Sequence, residues 1–109
     1  MSFNYNHITL VGRLTKDVVI TKVAESTKST FSLAVDRPYR KDDGSTDTDF
    51  IHCVVWGKLA EISEKYLKKG SPVLVEGRLQ IRSYTVEGVK KYFTEVLLEN
   101  FQVLETLKK

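Results

Sequence analysis

The chain has 109 residues, of which 41% are hydrophobic, so we expect a single domain over residues 1–109 with its own hydrophobic core. No apolar run approaches the length of a membrane span and the N-terminus lacks a secretory signal, which predicts a cytoplasmic protein with no membrane partner. A formal net charge of +3 suits a polyanionic partner but is too small to identify one.

The N-terminal third of the chain predicts two β-strands after a flexible start over residues 1–6. Residues 7–14 are rich in β-branched side chains, and residues 18–23 continue this pattern after a polar break. We interpret both as one long first strand with a bend or bulge at Gly12 or just after it. Residues 30–35 alternate, with Phe31, Leu33 and Val35 on one face, which predicts a half-buried second strand.

The middle of the chain predicts a loop, a strand and a helix. Residues 36–48 contain Pro38, Gly44 and several aspartates, which is typical of a long exposed loop. Residues 50–56 form the third strand. A helix is predicted over residues 58–69, with Leu59, Ile62 and Tyr66 on its apolar face and Gly70 as its left-handed cap.

Two further strands complete the predicted order. In the fourth strand, over residues 73–84, the apolar set Val73, Val75, Leu79 and Ile81 alternates with a polar set that includes Arg78, Arg82 and Tyr84. The fifth strand covers residues 91–98 and continues over residues 101–104. An all-β chain with one helix between strands three and four has the layout of the five-stranded oligonucleotide-binding (OB-fold) barrel, although the pattern alone leaves a sandwich open.

The chain resembles the bacterial single-stranded DNA-binding protein family (SSB family) over nearly its full length. The matching blocks are residues 8–14 (ITLVGRL), 31–35 (FSLAV), 50–61 (FIHCVVWGKLAE), 66–71 (YLKKGS), 75–79 (VEGRL), 94–96 (TEV) and 99–101 (ENF). The resemblance implies an OB-fold barrel assembled as a homotetramer around which single-stranded DNA winds. It also implies non-enzymatic, largely sequence-independent protection of that DNA in replication, recombination or repair, in association with the nucleoid.

Four aromatic side chains are candidates for stacking on DNA bases. The resemblance implies that Tyr39, Phe50, Trp56 and Tyr84 have this role. Strand parity independently places Phe50 and Trp56 on one face, and Tyr84 on the same face as two arginines of the fourth strand. An aromatic residue in a strand is also often part of a core, so packing is the alternative for Phe50 and Trp56. We assign Phe31, Phe93 and Phe101 to the core.

The candidate phosphate contacts are the cations on or beside the strands that carry these rings: Arg13, Arg37, Lys58, Arg78 and Arg82. Rings and cations that alternate along one surface suit single-stranded nucleic acid, because bases are flat and phosphates are charged. For any single lysine or arginine, the alternative is a solvated surface residue without a ligand.

An enzyme is not expected, and neither is a metal or other cofactor. Cys53 is the only cysteine and lies in an apolar strand, where a small buried hydrophobe is the simplest interpretation. His7 and His52 have no partners at metal-ligand spacing. Two alternatives to DNA binding stay open: an OB-fold accessory protein of a replication-restart or primosome complex acting through protein contacts, and an RNA binder.

The chain departs from the family pattern at two places. Asp17 is followed by Val18 where members commonly have Asp-Pro, so the path of the chain after the first strand is not fixed by the resemblance. Family members also commonly continue beyond the barrel through a flexible linker to an acidic tip that recruits partner proteins. The sequence stops at Lys109, with residues 106–109 expected to be flexible, so recruitment through such a tip is not expected. A short paralogue, a mobile-element form and a trimmed core all fit this expectation.

Overall fold

A computed structural model describes residues 3–104, which form one six-stranded sheet and a short helix. The elements are β1 (Ile8–Leu14), β2 (Val19–Val23), β3 (Ser26–Asp36), β4 (Thr48–Trp56), α1 (Lys58–Tyr66), β5 (Pro72–Val86) and β6 (Val89–Val103). The predicted OB-fold class, with its single helix before the last long hairpin, is confirmed. The predicted flexibility of residues 106–109 falls outside the described residues. At the other end, Asn6 is anchored, since its side-chain amide exchanges two hydrogen bonds with the backbone of Leu79.

The predicted long first strand is two strands. After β1 the chain bends through residues 15–18, and β2 turns back to pair with the first half of β3. The backbone N–H of Lys69 donates to the Asp17 carboxylate at 2.7 Å and holds this bend against the segment after the helix. As a result β3 begins at Ser26, four positions before the predicted start.

The sheet curls because β1, at one end of the sheet order, also pairs with β3, the last strand but one at the other end. That order is β1-β5-β6-β4-β3-β2, and β1 also pairs with β3 through Arg13 and Leu14. Gly12 lies where β1 passes from β5 to β3, and a Cβ atom there would collide with the carbonyl oxygen of Ala34. The predicted irregularity at Gly12 is therefore a close approach between two strands, inside an unbroken β1.

The concave side of the sheet encloses the hydrophobic core. Its buried members include Leu14, Phe31, Leu33, Cys53, Val55, Val73, Val75, Val96 and Leu98. Phe31 is thus in the core as predicted, and Phe101 packs against the core while partly buried. Burial raises the pKa of the Cys53 thiol to about 12, so the side chain has a structural role in the core.

The helix packs on the core through small side chains, and its predicted apolar face is only partly correct. Leu59 does contact the core, but Ile62 and Tyr66 are exposed, and Ala60 and Ser63 lie buried in their place. α1 ends at Tyr66, three residues before the predicted end, because Leu67 is extended and inserts into the core. Gly70 does have a left-handed φ of 86°, but it belongs to the turn before β5 and does not cap the helix. None of the helical segments within residues 3–104 has the length and apolar character needed to cross a bilayer.

The outer part of the β5–β6 hairpin, residues 78–94, projects beyond the core, and we call it the distal hairpin. A register shift between Glu76 and Gly77 marks its base, and a two-residue turn of Glu87 and Gly88, both with positive φ, forms its tip. Leu79 and Ile81 are exposed here, so of the apolar set predicted for this strand only Val73 and Val75 are buried. Phe93 is also exposed, to 38%, which corrects its assignment to the core.

Candidate nucleic-acid interface

The strand register places most of the predicted rings and cations on the convex side of the sheet. Residues directly opposite one another on paired strands project to the same side. Val54 of β4 lies opposite Leu97 of β6, which lies opposite Arg78 of β5. Side chains at even positions of β4 therefore share a face with those at even positions of the distal part of β5. We call this surface the outer face, and it is defined by Phe50, His52, Trp56, Arg78, Arg82, Tyr84 and Phe93.

Three candidate stacking rings are accessible on the outer face. Phe50 is 69% exposed, Trp56 42% and Tyr84 50%. None of the three is a core residue, so the packing alternative for Phe50 and Trp56 does not hold. Large exposed rings on one surface are unusual in a protein without a partner there, because each leaves apolar area in water.

Tyr39 lies apart from these rings, in the loop between β3 and β4. Its ring is exposed, and its hydroxyl oxygen accepts a hydrogen bond from Arg37 at 3.3 Å. Arg37 also contacts Asp49 at two points, with Nη2 donating at 2.9 Å and Nε at 3.1 Å. This pairing raises the pKa of Arg37 and lowers the pKa of Asp49. In the free protein Arg37 thus fixes the base of the loop instead of presenting an unpaired cation.

The two arginines of the distal hairpin differ in their surroundings. Arg82 donates to Glu95 at 3.0 Å, and Glu95 is only 3% exposed although it carries a carboxylate. Arg78 is exposed and makes no ion pair with any residue between positions 3 and 104. One cation is therefore held in place, and the other is free to move.

The remaining predicted cations border the same surface. Arg13 lies opposite Ala34, which lies opposite Phe50, so Arg13 shares a row with this ring across three strands. Its guanidinium is 3.4 Å from the carbonyl oxygen of Gly70. Lys58 is the exposed first residue of α1, two positions after Trp56.

No binding role was predicted from the sequence for His52 and Phe93 of the outer face, or for Lys28, which lies beside it. Lys28 of β3 lies opposite Trp56, with its ammonium 5.6 Å from the centre of the indole ring, a distance typical of a cation–π contact. The rings of His52 and Phe93 meet edge to face at a centroid distance of 5.0 Å. Phe93 also lines a shallow cavity of about 400 Å³ together with Arg82, Ser83 and Tyr84. These contacts join the rings of β4 to those of the distal hairpin.

The described residues contain no arrangement suited to a bound metal. Between residues 3 and 104, no three His, Cys, Asp or Glu side chains come together as ligands would. What the outer face offers is a continuous surface of rings and guanidinium groups, which favours binding to an extended ligand with flat and anionic parts.

Comparisons with known proteins place the chain in a family. The single-strand binding protein family matches residues 5–104, and the chain belongs to that family. It is 46% identical over 103 residues to the "Single-stranded DNA-binding protein" of Enterococcus faecalis, which covers 93% of this chain and 55% of that protein. It is 45% identical over 106 residues to "Single-stranded DNA-binding protein 1" of Clostridium acetobutylicum, which covers 94% of this chain and 96% of that protein. The chain thus spans about half of the first relative and nearly all of the second.

A solved structure has the same fold. The Plasmodium falciparum SSB in complex with single-stranded DNA superposes with a TM-score of 0.86 at 27% identity. The match covers 96% of this chain and 99% of that one, so it includes the distal hairpin as well as the rest of the sheet, which we call the closed part.

Proposed function

We propose that this protein binds single-stranded DNA on its outer face and protects it, without catalysing a reaction, during replication, recombination or repair. The observation that carries the proposal is the joining of exposed rings from β4 and the distal hairpin on one surface, interleaved with arginines. The names of the family relatives and the DNA complex of the structural neighbour support the same function. Together they favour strand binding over an accessory role through protein contacts.

Two kinds of contact would hold the strand. Bases stack on Phe50, Trp56 and Tyr84, at roughly 1–3 kcal/mol per stacked base, and every base offers a flat face, so sequence matters little. Phosphates pair with cations beside the rings, and counterions released from the strand add affinity at low salt. Arg78, Arg82, Arg13 and Lys58 are placed for this second role. Arg37 would have to exchange its carboxylate partners for a phosphate, while Tyr39 would stack from the loop.

We also propose a homotetramer in the cytoplasm, associated with the nucleoid. The rings of one subunit cover a short length of strand, and several subunits side by side would extend the path while burying apolar surface between them. Light scattering with and without oligo-dT measures the number of subunits. A monomer in both conditions would contradict the proposed tetramer. Strand binding by a single subunit would then be tested by the titration described next.

The direct test uses Trp56, the only tryptophan in the chain, as the reporter. Addition of oligo-dT should quench its fluorescence, and Tyr84→Ala should weaken binding about fivefold to 150-fold, equivalent to the loss of one stacked base. Tyr92→Ala is the matched control, because Tyr92 is also an exposed ring of the same hairpin but lies opposite Ser83 on its other side. Equal losses in the two variants, or no binding by the unmodified protein, would refute the proposed face.

The salt dependence of the affinity and the preference for DNA or RNA complete the test. The logarithm of the binding constant should fall linearly with the logarithm of salt concentration, by about 0.7 for each phosphate contact on a single strand. Affinity that is independent of salt would remove the ionic part of the mechanism. Competition between oligo-dT and oligo-U separates DNA from RNA preference, because stacking alone does not distinguish the sugars.

A further inference from the structure

His52 is a titratable group in the middle of the outer face, and the stacking and ion-pairing described above give it no role. It lies between Phe50 and Trp56 along β4, and its ring meets that of Phe93 across the β4–β6 pairing. It is only partly buried. A strand that runs from the β4 rings to the distal hairpin must therefore pass over the imidazole.

Charged groups from every neighbouring element surround His52. Arg82 of β5 and Lys28 of β3 repel a positive charge on the ring, while Glu95 of β6 attracts one. Lys16 and Asp17, from the bend after β1, line an open cavity of about 210 Å³ that His52 also borders. Asp17 is engaged with the backbone of Lys69, and Glu95 is engaged with Arg82. Both nearby carboxylates thus have partners of their own.

In the free protein these surroundings favour the neutral form of the imidazole. Partial burial is the largest cause of its lowered pKa, and the repulsion from Arg82 and Lys28 adds to it against the attraction of Glu95. A bound strand changes this balance. Its phosphates would neutralise the two cations and would themselves accept a hydrogen bond from a protonated ring.

We propose that His52 contacts the phosphate backbone of the bound strand as an imidazolium, so that DNA binding is coupled to the uptake of one proton. The inference rests on the proposed strand binding and goes further by making that binding depend on pH. Because the strand favours the protonated ring, affinity rises as the pH falls through the range in which bound His52 titrates. It levels off once the free protein is protonated too.

The test measures oligo-dT affinity at one salt concentration near pH 8 and near pH 5.5, on either side of the ordinary histidine pKa of ~6.5. Thymine does not titrate in this interval, so the strand keeps its charge. We expect binding to be roughly three- to tenfold tighter at the lower pH, which corresponds to a pKa rise of about 0.5–1 on binding. The salt slope should also be larger there by about 0.7, since one more cation contacts a phosphate.

Three variants test whether His52 causes the pH dependence of DNA binding. His52→Gln should bind equally at both pH values, and His52→Lys, which keeps a positive charge, should bind tightly at both. His7→Gln should keep the full pH dependence, and it is the matched control because His7 is the only other histidine. Circular dichroism at each pH establishes that every variant is folded. A pH dependence that persists in His52→Gln would overturn the proposal.

A measurement on the unmodified protein keeps the proposal testable if a variant fails to fold. The imidazole C–H resonances of the two histidines, assigned with His7→Gln, report their protonation directly by NMR. The His52 resonance should titrate at higher pH with oligo-dT than without it. Tight binding with an unchanged His52 titration would refute this inference and leave the proposed function intact. Failure to bind oligo-dT at either pH would remove both.

Discussion

The closed part of the sheet and the distal hairpin follow the same alternation of side chains but bury them very differently. In β4, Cys53 and Val55 are inside the core while Phe50 and Trp56 are exposed on the outer face. In the distal hairpin both sides are accessible, and Ile81 is 60% exposed although the alternation assigns it to the inner side. The alternation of side chains along a strand therefore shows which side of the sheet each one occupies. Whether that side chain is buried depends on what packs over that side.

This difference separates stability from binding within one sheet. The closed part holds nearly all of the core residues, whereas the distal hairpin contributes Arg78, Arg82, Tyr84 and Phe93 to the outer face. Apolar side chains that project beyond a core add little to folding but remain available to a ligand. The separation predicts that substitutions in the two regions have different effects.

The largest expected effect is on stability in the closed part. Leu33 is fully buried, and Leu33→Ala should lower the free energy of unfolding by about 2–5 kcal/mol, because it removes apolar contacts and leaves a cavity. Ile81→Ala in the distal hairpin should change it by less than about 0.5 kcal/mol. Urea denaturation followed by circular dichroism measures both values. Comparable losses would mean that the hairpin is packed as tightly as the core, contrary to the comparison.

Much of the closed part could be predicted from the sequence because local patterns determine it. Phe31 and Leu33 are buried while the intervening Ser32 is only partly buried, and this is the pattern that one buried side produces. The independent β2 could not be predicted, because neither turn that flanks it contains glycine or proline, and Ala24 takes a positive φ of 56°. The predicted buried face of the helix differs from the observed one by one residue. The reason is that α1 docks through Ala60 and Ser63, whose small side chains give a weak apolar signal in the sequence.

A second prediction concerns Arg82, which belongs to both regions because it contacts the buried Glu95. Arg82→Ala should weaken DNA binding and also lower the free energy of unfolding by about 1–3 kcal/mol, since it leaves a buried carboxylate without its charged partner. The cost should be less than that of breaking a fully buried pair, because Arg82 is half exposed and water can approach.

Arg78→Ala provides the matched comparison for Arg82. It should weaken DNA binding by a similar amount while leaving stability within about 0.5 kcal/mol of the unmodified protein, because Arg78 makes no ion pair among residues 3–104. Thermal unfolding and oligo-dT titration of the same samples give both quantities. Equal stability of the two variants would show that the Glu95 contact contributes nothing to folding.

The candidate site was less predictable than the fold, since it depends on contacts between distant segments. Parity within one strand was enough to group Phe50 with Trp56, and Tyr84 with its neighbouring arginines. It could not show that β4 and β6 pair in parallel, which is what brings His52 to Phe93. Lys28 was missed because β3 begins earlier than its pattern suggests, and only the added length places this lysine opposite Trp56.

The smallest expected effect tests whether the distal hairpin opens independently of the core. Glu87 holds a φ of 51° at the hairpin tip, a conformation that asparagine adopts more readily than glutamate, so Glu87→Asn should stabilise the turn by up to about 1 kcal/mol. If the hairpin opens locally, its amide protons should exchange more slowly in the variant, while those of β3 and β4 keep their rates. If the hairpin unfolds only with the core, protection should rise equally in both regions, and the division between them would not hold. Hydrogen exchange followed by NMR, with Ser83→Ala as a control away from the turn, measures the two regions in a single sample.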